Sequence, residues 1–567
     1  MKKTLAILIS LGFAVPLFAQ SKSRYLVSTT RRPAISSLRM LRDPQELASH
    51  TVRTYANLDL FAADLTADEV AALKKSADVD YVSPVAPRYV DGTFRTPLRF
   101  DTNGLHTAST GHHQEVQTVW YGIDLVNARA LWNYTRGNAG GVNVAVIDTG
   151  IDYNHPELKD RYQGGYNTFT KTNDPKDDHG HGTHVSGIIA AADNNFGVVG
   201  VAPEVKLWVT KVLKADGSGT DETVIAGLDW VISKKREIGG NWVVNLSLGA
   251  DGGSEPERQA FAQAIDEGIL IVAAAGNTGA DNIQYPGAYD QVLAISAIDS
   301  KSQLASFSTY GGGVAFASPG VDVLSSVPVG TGRDLEIAAG NQALDAWNVQ
   351  GAKDGTVTGQ TVFQNYCSAT DVTAAVKGKI AVCRRGKPST SSPDITFSEK
   401  AMNAINNGAI GVVIVPNDDR TDNSQWTLLL KCAGCPPDPD LASFNWGVVL
   451  SVAKADGDAL VASAGQQITL TNAPDDYAVM SGTSMATPHV VGVAALVWSL
   501  APQMTAAQMR LALKLSSDDL GTPGHDVKFG YGRIDALSSA KYVAPSLFGL
   551  PATQPPVPTR RRPSDHH

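Results

Sequence analysis

The sequence predicts an α/β fold built around a mostly parallel sheet that helices cover on both faces. Two observations carry this. From about Gly122, apolar runs of strand length alternate with helical stretches: strands over 142–147, 207–212, 242–246 and 269–274, helices over 182–192, 221–235 and 256–267. Strands that are apolar on both faces are buried on both, as parallel sheets require. Polar residues also stand at the strands' carboxyl ends, where open α/β sheets hold their chemistry. Asp148 ends the first strand, Ser247-Leu248-Gly249 follows the third, and Gly276-Asn277 follows the fourth.

At 567 residues, about 150 per domain predicts three or four domains. A net charge of −9 offers no basic face for nucleic acid, so none is expected as a partner. Met1-Lys2-Lys3 precedes a short apolar run and then Pro16-Leu17-Phe18-Ala19, with a small residue at the cut, so residues 1–19 read as an export signal. No other run of ~20 apolar residues exists, and no membrane span is expected. The chain is therefore expected to be secreted, extracellular or periplasmic. Four cysteines, Cys367, Cys383, Cys432 and Cys435, fall within one stretch. For an exported chain they read as disulfide partners; a four-cysteine zinc site and a redox pair at Cys432 and Cys435 are the alternatives.

Residues 20–110 form a small α+β unit. Strands are expected over 24–28, 58–65 and 79–82. Thr66 and Glu69 make a capping box that starts a helix over 67–75. Residues 101–118 are polar and aperiodic, a linker open to cleavage.

The chemistry concentrates near the end. Gly482-Thr483-Ser484-Met485-Ala486-Thr487-Pro488-His489 leads into an apolar, small-residue run over 490–497 that reads as a buried helix. A serine at a helix start sits among unpaired N–H groups that can hold an oxyanion, or it merely caps the helix. His181-Gly182-Thr183-His184-Val185-Ser186-Gly187 starts another helix. His179, His181 and His184 could instead ligate a metal, but they lack the spacing and glutamate of a zinc helix. Asp148 lies in Val146-Ile147-Asp148-Thr149-Gly150. These three motifs, in the order Asp–His–Ser, resemble the subtilisin-like serine protease family, the subtilases or peptidase S8 family. The resemblance covers about 118–328 and 477–540.

The resemblance implies a three-layer subtilisin-like catalytic domain over 111–330 and 476–544. Ser484 would be the nucleophile, His181 the general base, Asp148 its orienting partner and Asn277 an oxyanion donor; alone, Asn277 would read as a turn residue. Substrate would lie extended between Gly217-Ser218-Gly219 and Ser247-Leu248-Gly249. Ala274, Ala275 and Gly276 would wall the pocket for the side chain before the scissile bond, and Gln284 would floor it, making it shallow and polar at its end. Asp221 either rims more distant subsites or caps a helix. No cofactor is required for the chemistry. A structural calcium ion would be held by Glu157, Asn194 and the carbonyls of Ala192, Phe196 and Val198, although aspartate is usual at the position of Glu157. A plain turn is the alternative there.

The subtilase pattern breaks between about Val329 and Tyr477. The intervening 331–475 resembles a β-rich protease-associated (PA) domain, on Val376-Lys377-Gly378-Lys379-Ile380-Ala381-Val382-Cys383-Arg384-Arg385-Gly386 and the run over 408–415. Residues 20–110 resemble an inhibitor-type propeptide, cut between Arg99 and Val116. The end, 545–567, reads as a flexible Pro/Arg-rich tail. The function implied is a secreted serine endopeptidase of broad specificity. It would be made as a zymogen with its own propeptide as intramolecular inhibitor, act on polypeptides and work as a monomer. An inactive binding scaffold and a processing exopeptidase are the other classes.

Overall fold

A computed structural model of the chain describes residues 21–30, 50–90, 93–95, 117–340, 342–344, 346–387, 389, 394–417, 426–429, 431 and 435–551. The signal segment, the cleavage stretch expected over 99–116 and most of the tail lie outside them. The chain forms two compact units, one running to Val85 and one beginning at Ala86.

The first unit is the expected small α+β fold. Ser23–Thr29 pairs antiparallel with both Leu60–Leu65 and Val79–Pro84, and Thr51–Thr54 adds the fourth strand. The Thr66/Glu69 capping box is formed, and it starts the helix Ala67–Leu73. Val27, Phe61, Leu65, Leu73 and Val82 make the core.

The second unit holds a seven-stranded parallel sheet. Its order is Val314–Pro319, Leu293–Ile298, Ile269–Ala274, Asn241–Leu246, Val142–Asp148, Lys206–Lys211, Tyr162–Asn167. Val142–Asp148 sits near the middle with every residue buried, which explains its unbroken apolar sequence. The helix Thr483–Leu500 packs on the sheet and is buried on nearly all sides. Among the described residues it is the one helix long and apolar enough to cross a membrane, but it is a core element of this fold. Gly492 lets it approach closely: a Cβ there would lie 2.5 Å from Val201 Cβ.

Two more short sheets belong to the second unit. Pro87–Val90 lies between Ser218–Thr220 and Leu248–Gly249, antiparallel to both. Thr93–Arg95 pairs antiparallel with Val479–Ser481. These pairings place Pro87–Val90 and Thr93–Arg95 in the second unit, although sequence groups them with residues 20–110.

Residues between Gly332 and Asp475 build their own eight-stranded sheet, with helices Phe397–Asn406 and Lys454–Ala462. Gly332–Ala339 and Gln467–Asp475 pair along their full length, so the insertion leaves and returns through one antiparallel ladder. Cys367 and Cys383, both fully buried, form a disulfide. Cys435 is disulfide-bonded as well, and Cys432 lies outside the described residues. Oxidation of these thiols removes the zinc alternative. The tail expected from residue 545 begins with an ordered turn, Pro545–Phe548, because the Phe548 ring packs on Tyr134 at 4.8 Å.

Gly492→Ala should destabilise the fold by about 1–3 kcal/mol, because Val201 is held by its own backbone and cannot yield to the new methyl. A thermal melt showing an unchanged or raised Tm would contradict this packing.

Candidate active site

Asp148 ends the buried strand Val142–Asp148, and His181 starts the helix His181–Ala190. The sheet brings them together across 33 residues. His181 Nδ1 lies 2.8 Å from Asp148 Oδ1, with both side chains almost fully buried. The same Oδ1 accepts the Thr149 N–H at 2.7 Å. This assigns the Nδ1–H tautomer to His181 and leaves Nε2 as the basic nitrogen.

The histidine helix is fixed by a residue that the motif reading passed over. Asp177 accepts hydrogen bonds from the N–H groups of His179, Gly180 and Thr183 and from the hydroxyls of Thr149 and Thr183. Burial alone would raise its pKa, but these donors hold the carboxyl below its ordinary value. A carboxylate just before a helix start was the available signal. The helix also leans on the loop after Asp148: a Cβ on Gly182 would stand 2.2 Å from Gly150 O. His184 is not a metal ligand. Its Nε2 faces the carbonyls of Ala478 and Val323 at 3.0 and 3.1 Å, and burial pushes its pKa down to about 3, so it is a neutral core residue. Among the described residues no group of three or more His, Cys, Asp or Glu could hold a metal ion.

Ser484 is the second residue of the helix Thr483–Leu500 and is fully buried. Its hydroxyl donates to Ser247 O at 3.0 Å, and its own carbonyl accepts from Ser247 Oγ at 2.8 Å. Pro488 makes the second bond possible. It lies four residues on and has no N–H, so the Ser484 carbonyl has no helical donor and is free for Ser247. Asn277 follows the strand Ile269–Ala274 by three residues. Its Oδ1 accepts from the Thr483 N–H at 2.9 Å and from Thr483 Oγ1 at 3.2 Å. The side-chain amide nitrogen therefore points away from Thr483. The Gly276 N–H donates to Thr483 Oγ1 at 3.2 Å and completes the contact.

The two segments expected to hold substrate face each other across a slot one strand wide, and Pro87–Val90 fills it. Ser218, Gly219 and Thr220 pair with Tyr89, Arg88 and Pro87, while Leu248 and Gly249 pair with Val90 and Tyr89. The Val90 N–H donates to Gly217 O at 3.0 Å. Ala274 and Ala275 are buried beside the slot, and Ala275 O accepts the Gln284 N–H. The Gln284 side chain reaches across between Gly276 and Gly249: a Cβ on either would come within about 3 Å of its Oε1. Its Nε2 donates to Asp251 Oδ1 at 3.0 Å. Asp221 is not the cap of its helix. Thr220 is, through a capping box with Thr223, which leaves the Asp221 carboxylate to accept the Ala86 N–H at 3.0 Å.

The loop expected to hold calcium gathers oxygens. Ala192 O, Val198 O and Asn194 Oδ1 lie 2.7, 3.3 and 3.5 Å from one atom, Gln117 Nε2. Glu157 is fully buried and accepts from Tyr477 Oη, the Val198 N–H and Asn194 Nδ2. Burial pushes its pKa up to about 7. Phe196 enters through its N–H, which donates to Asn194 Oδ1 at 3.3 Å. Gln117 was not expected, because it stands in the polar stretch that reads as a linker.

A family model described as "Subtilase family" matches residues 139–333 and 330–532. M-protease of Shouchella clausii is 34% identical over 58% of this chain and 80% of its own length. Subtilisin BL of Lederbergia lenta is 44% identical over 38% of this chain and 77% of its own. Among solved structures, the psychrophilic subtilisin-like protease Apa1 of Pseudoalteromonas sp. AS-11 is similar at 31% identity and a TM-score of 0.53, covering 76% of this chain and 99% of that one. With the matched residues spanning well over half of its length, this chain belongs to the subtilase family and is a subtilisin-type serine protease.

Proposed function

We propose that the chain is a secreted endopeptidase, made as a zymogen, that cuts polypeptides through Ser484, His181 and Asp148. One observation carries this reading: the chain's own strand Pro87–Val90 occupies the slot as an extended peptide would, paired on both sides. The chain then continues beyond the nucleophile, where Thr93–Arg95 pairs with Val479–Ser481, three residues before Ser484 at its nearest. A cleft paired with peptide on both sides of the serine suits cleavage within a chain, not removal of terminal residues. The same strand, lying within the expected propeptide, is the intramolecular inhibitor.

Each residue then has a role. Rotation about the Ser484 Cα–Cβ bond moves Oγ from the Ser247 carbonyl towards His181 Nε2. As Oγ attacks the peptide carbonyl, its proton passes to Nε2, and Asp148 stabilises the imidazolium through Nδ1–H. The oxyanion is held by Asn277 Nδ2 and the Ser484 N–H, the latter at a helix start whose donors lack helical partners. Collapse expels the amine, which takes the proton from His181, and water then releases the acyl group by the reverse proton path. Gln284 crosses the pocket for the side chain before the bond, favouring medium-sized residues there. This triad chemistry needs no cofactor.

Calcium as a structural ion is supported by the three oxygens that converge beside Gln117, a hard donor set suited to that cation. Glu157 next to them is a buried carboxyl that a cation would hold ionised. Gln117, Asn194, Glu157 and the carbonyls of Ala192 and Val198 would hold it.

Casein incubated with the purified protein should be degraded, and a serine-directed fluorophosphonate should stop this; Ser484→Ala should show neither cleavage nor labelling. Asn277→Ala should lower kcat by about 10²–10³, or ~2.7–4 kcal/mol of barrier, with a much smaller change in KM. An unchanged kcat would remove Asn277 from the oxyanion site. For calcium, a chelator should lower Tm at pH 7 by several degrees in the wild type and have no effect in Gln117→Ala. In chelator, the folded chain keeps a proton on Glu157 that the unfolded chain releases near its ordinary value, 4.5. Stability should therefore fall as pH rises from about 4.5 to about 7, and calcium should abolish that fall. A pH-independent Tm across that window in chelator would contradict it.

A further inference from the structure

Resting on the protease reading above, we propose that this cleft carries a cation-selective subsite, formed by Glu257 and Asp221, that takes an arginine at the fourth substrate position before the scissile bond. Arg88 shows how it is filled. It is the second residue of the slot-filling strand, and its side chain is fully buried. Its Nε donates to Glu257 Oε1 at 3.1 Å and its Nη2 donates to Glu257 Oε2, a two-pronged contact with one carboxylate. Its Nη1 donates to Pro87 O at 2.7 Å.

The pocket is built for the charge, not improvised around it. Glu257 lies in the first turn of the helix Glu255–Asp266, and Asp221 is the first residue of Asp221–Ile238, so two helix starts favour carboxylates there. Both side chains are fully buried. Tyr289 Oη donates to Glu257 Oε2 at 2.6 Å, and Ser254 Oγ donates to Asp221 Oδ2 at 3.2 Å. Asp221 also accepts the Ala86 N–H, so it grips the peptide backbone two residues before the arginine. Burial first, and then the nearby Glu257, push the Asp221 pKa up to about 7, even with Arg88 bound. Once the strand leaves, the two carboxylates remain with no cation beside them. A leucine entering there would leave Glu257 buried and uncompensated, whereas a guanidinium restores both the charge balance and the fork of hydrogen bonds.

The register fixes the position. Gly249 pairs with Tyr89 and Leu248 with Val90. One further step places the next substrate residue opposite Ser247, whose carbonyl holds Ser484 Oγ. That residue carries the attacked carbonyl, and Arg88 is the third before it. The first self-processing cut therefore falls upstream of the 99–116 stretch expected from sequence.

The test uses two internally quenched peptides that differ only in arginine or leucine at the fourth position before the bond, cut by the purified mature enzyme. The wild type should favour arginine by about a hundredfold in kcat/KM, the size expected for a desolvated guanidinium–carboxylate pair. Glu257→Leu should bring the ratio close to one. Should that single variant fail to fold around an unpaired Arg88, the double variant Arg88→Leu, Glu257→Leu removes both charges together and should prefer leucine. A wild type that prefers leucine, or an arginine preference that survives loss of Glu257, overturns the subsite and leaves the protease reading standing. No cleavage of either peptide or of casein overturns both.

Discussion

Ser247 and Ser484 exchange hydroxyl and carbonyl in a reciprocal pair of hydrogen bonds, and the rest of the site is arranged about that pair. It ties the segment after one strand of the sheet to the start of the long buried helix Thr483–Leu500. Asn245 donates to Ser247 Oγ from within the strand, so the tie is anchored in the sheet. From there Thr483 fixes Asn277 and Gly276, and the substrate slot opens beside Leu248. The enabling element is a proline inside a helix, ordinarily a cost in that position. Here the missing N–H leaves a buried carbonyl that Ser247 satisfies, so that cost is offset where the helix start is tied to the sheet.

Much of this was legible in the sequence, for physical reasons. Strands buried on both faces write themselves as continuous apolar runs, and the capping box Thr66/Glu69 marks a helix by its own hydrogen bonds. The residues Asp148, His181 and Ser484 stood in motifs because each needs small neighbours; Gly182 against Gly150 is the clearest case. What stayed hidden depends on contacts between distant segments. Asp177 is one aspartate among many until the fold turns five donors towards it. Gln117 looked like linker because its partners lie about 75 residues away. Asp221 read equally as cap or subsite, and it is Thr220 that takes the cap. Nothing local in either sequence segment joins Arg88 to Glu257, which are 169 residues apart.

The inserted sheet shows how a fold tolerates a large addition. Its entrance and exit strands, Gly332–Ala339 and Gln467–Asp475, are each other's partners, so the insertion meets the catalytic fold as the ends of a single ladder. The following strand, Tyr477–Ser481, then pairs with Val323–Ser326 and delivers Ser484 to its helix. A pair of ends held side by side asks nothing of the strands on either side except continuity, which is why the parallel sheet and its helices run undisturbed around it.

The slot-filling strand also covers two sheet edges at once. Pro87–Val90 satisfies the facing edges of Ser218–Thr220 and Leu248–Gly249. Its departure bares two rows of peptide groups, the kind of rim along which chains stack into aggregates. On the proposed zymogen reading, those edges would be covered in the precursor and open in the processed chain. An extended cleavage product would offer those edges the same two-sided pairing, so product would compete with substrate for the slot.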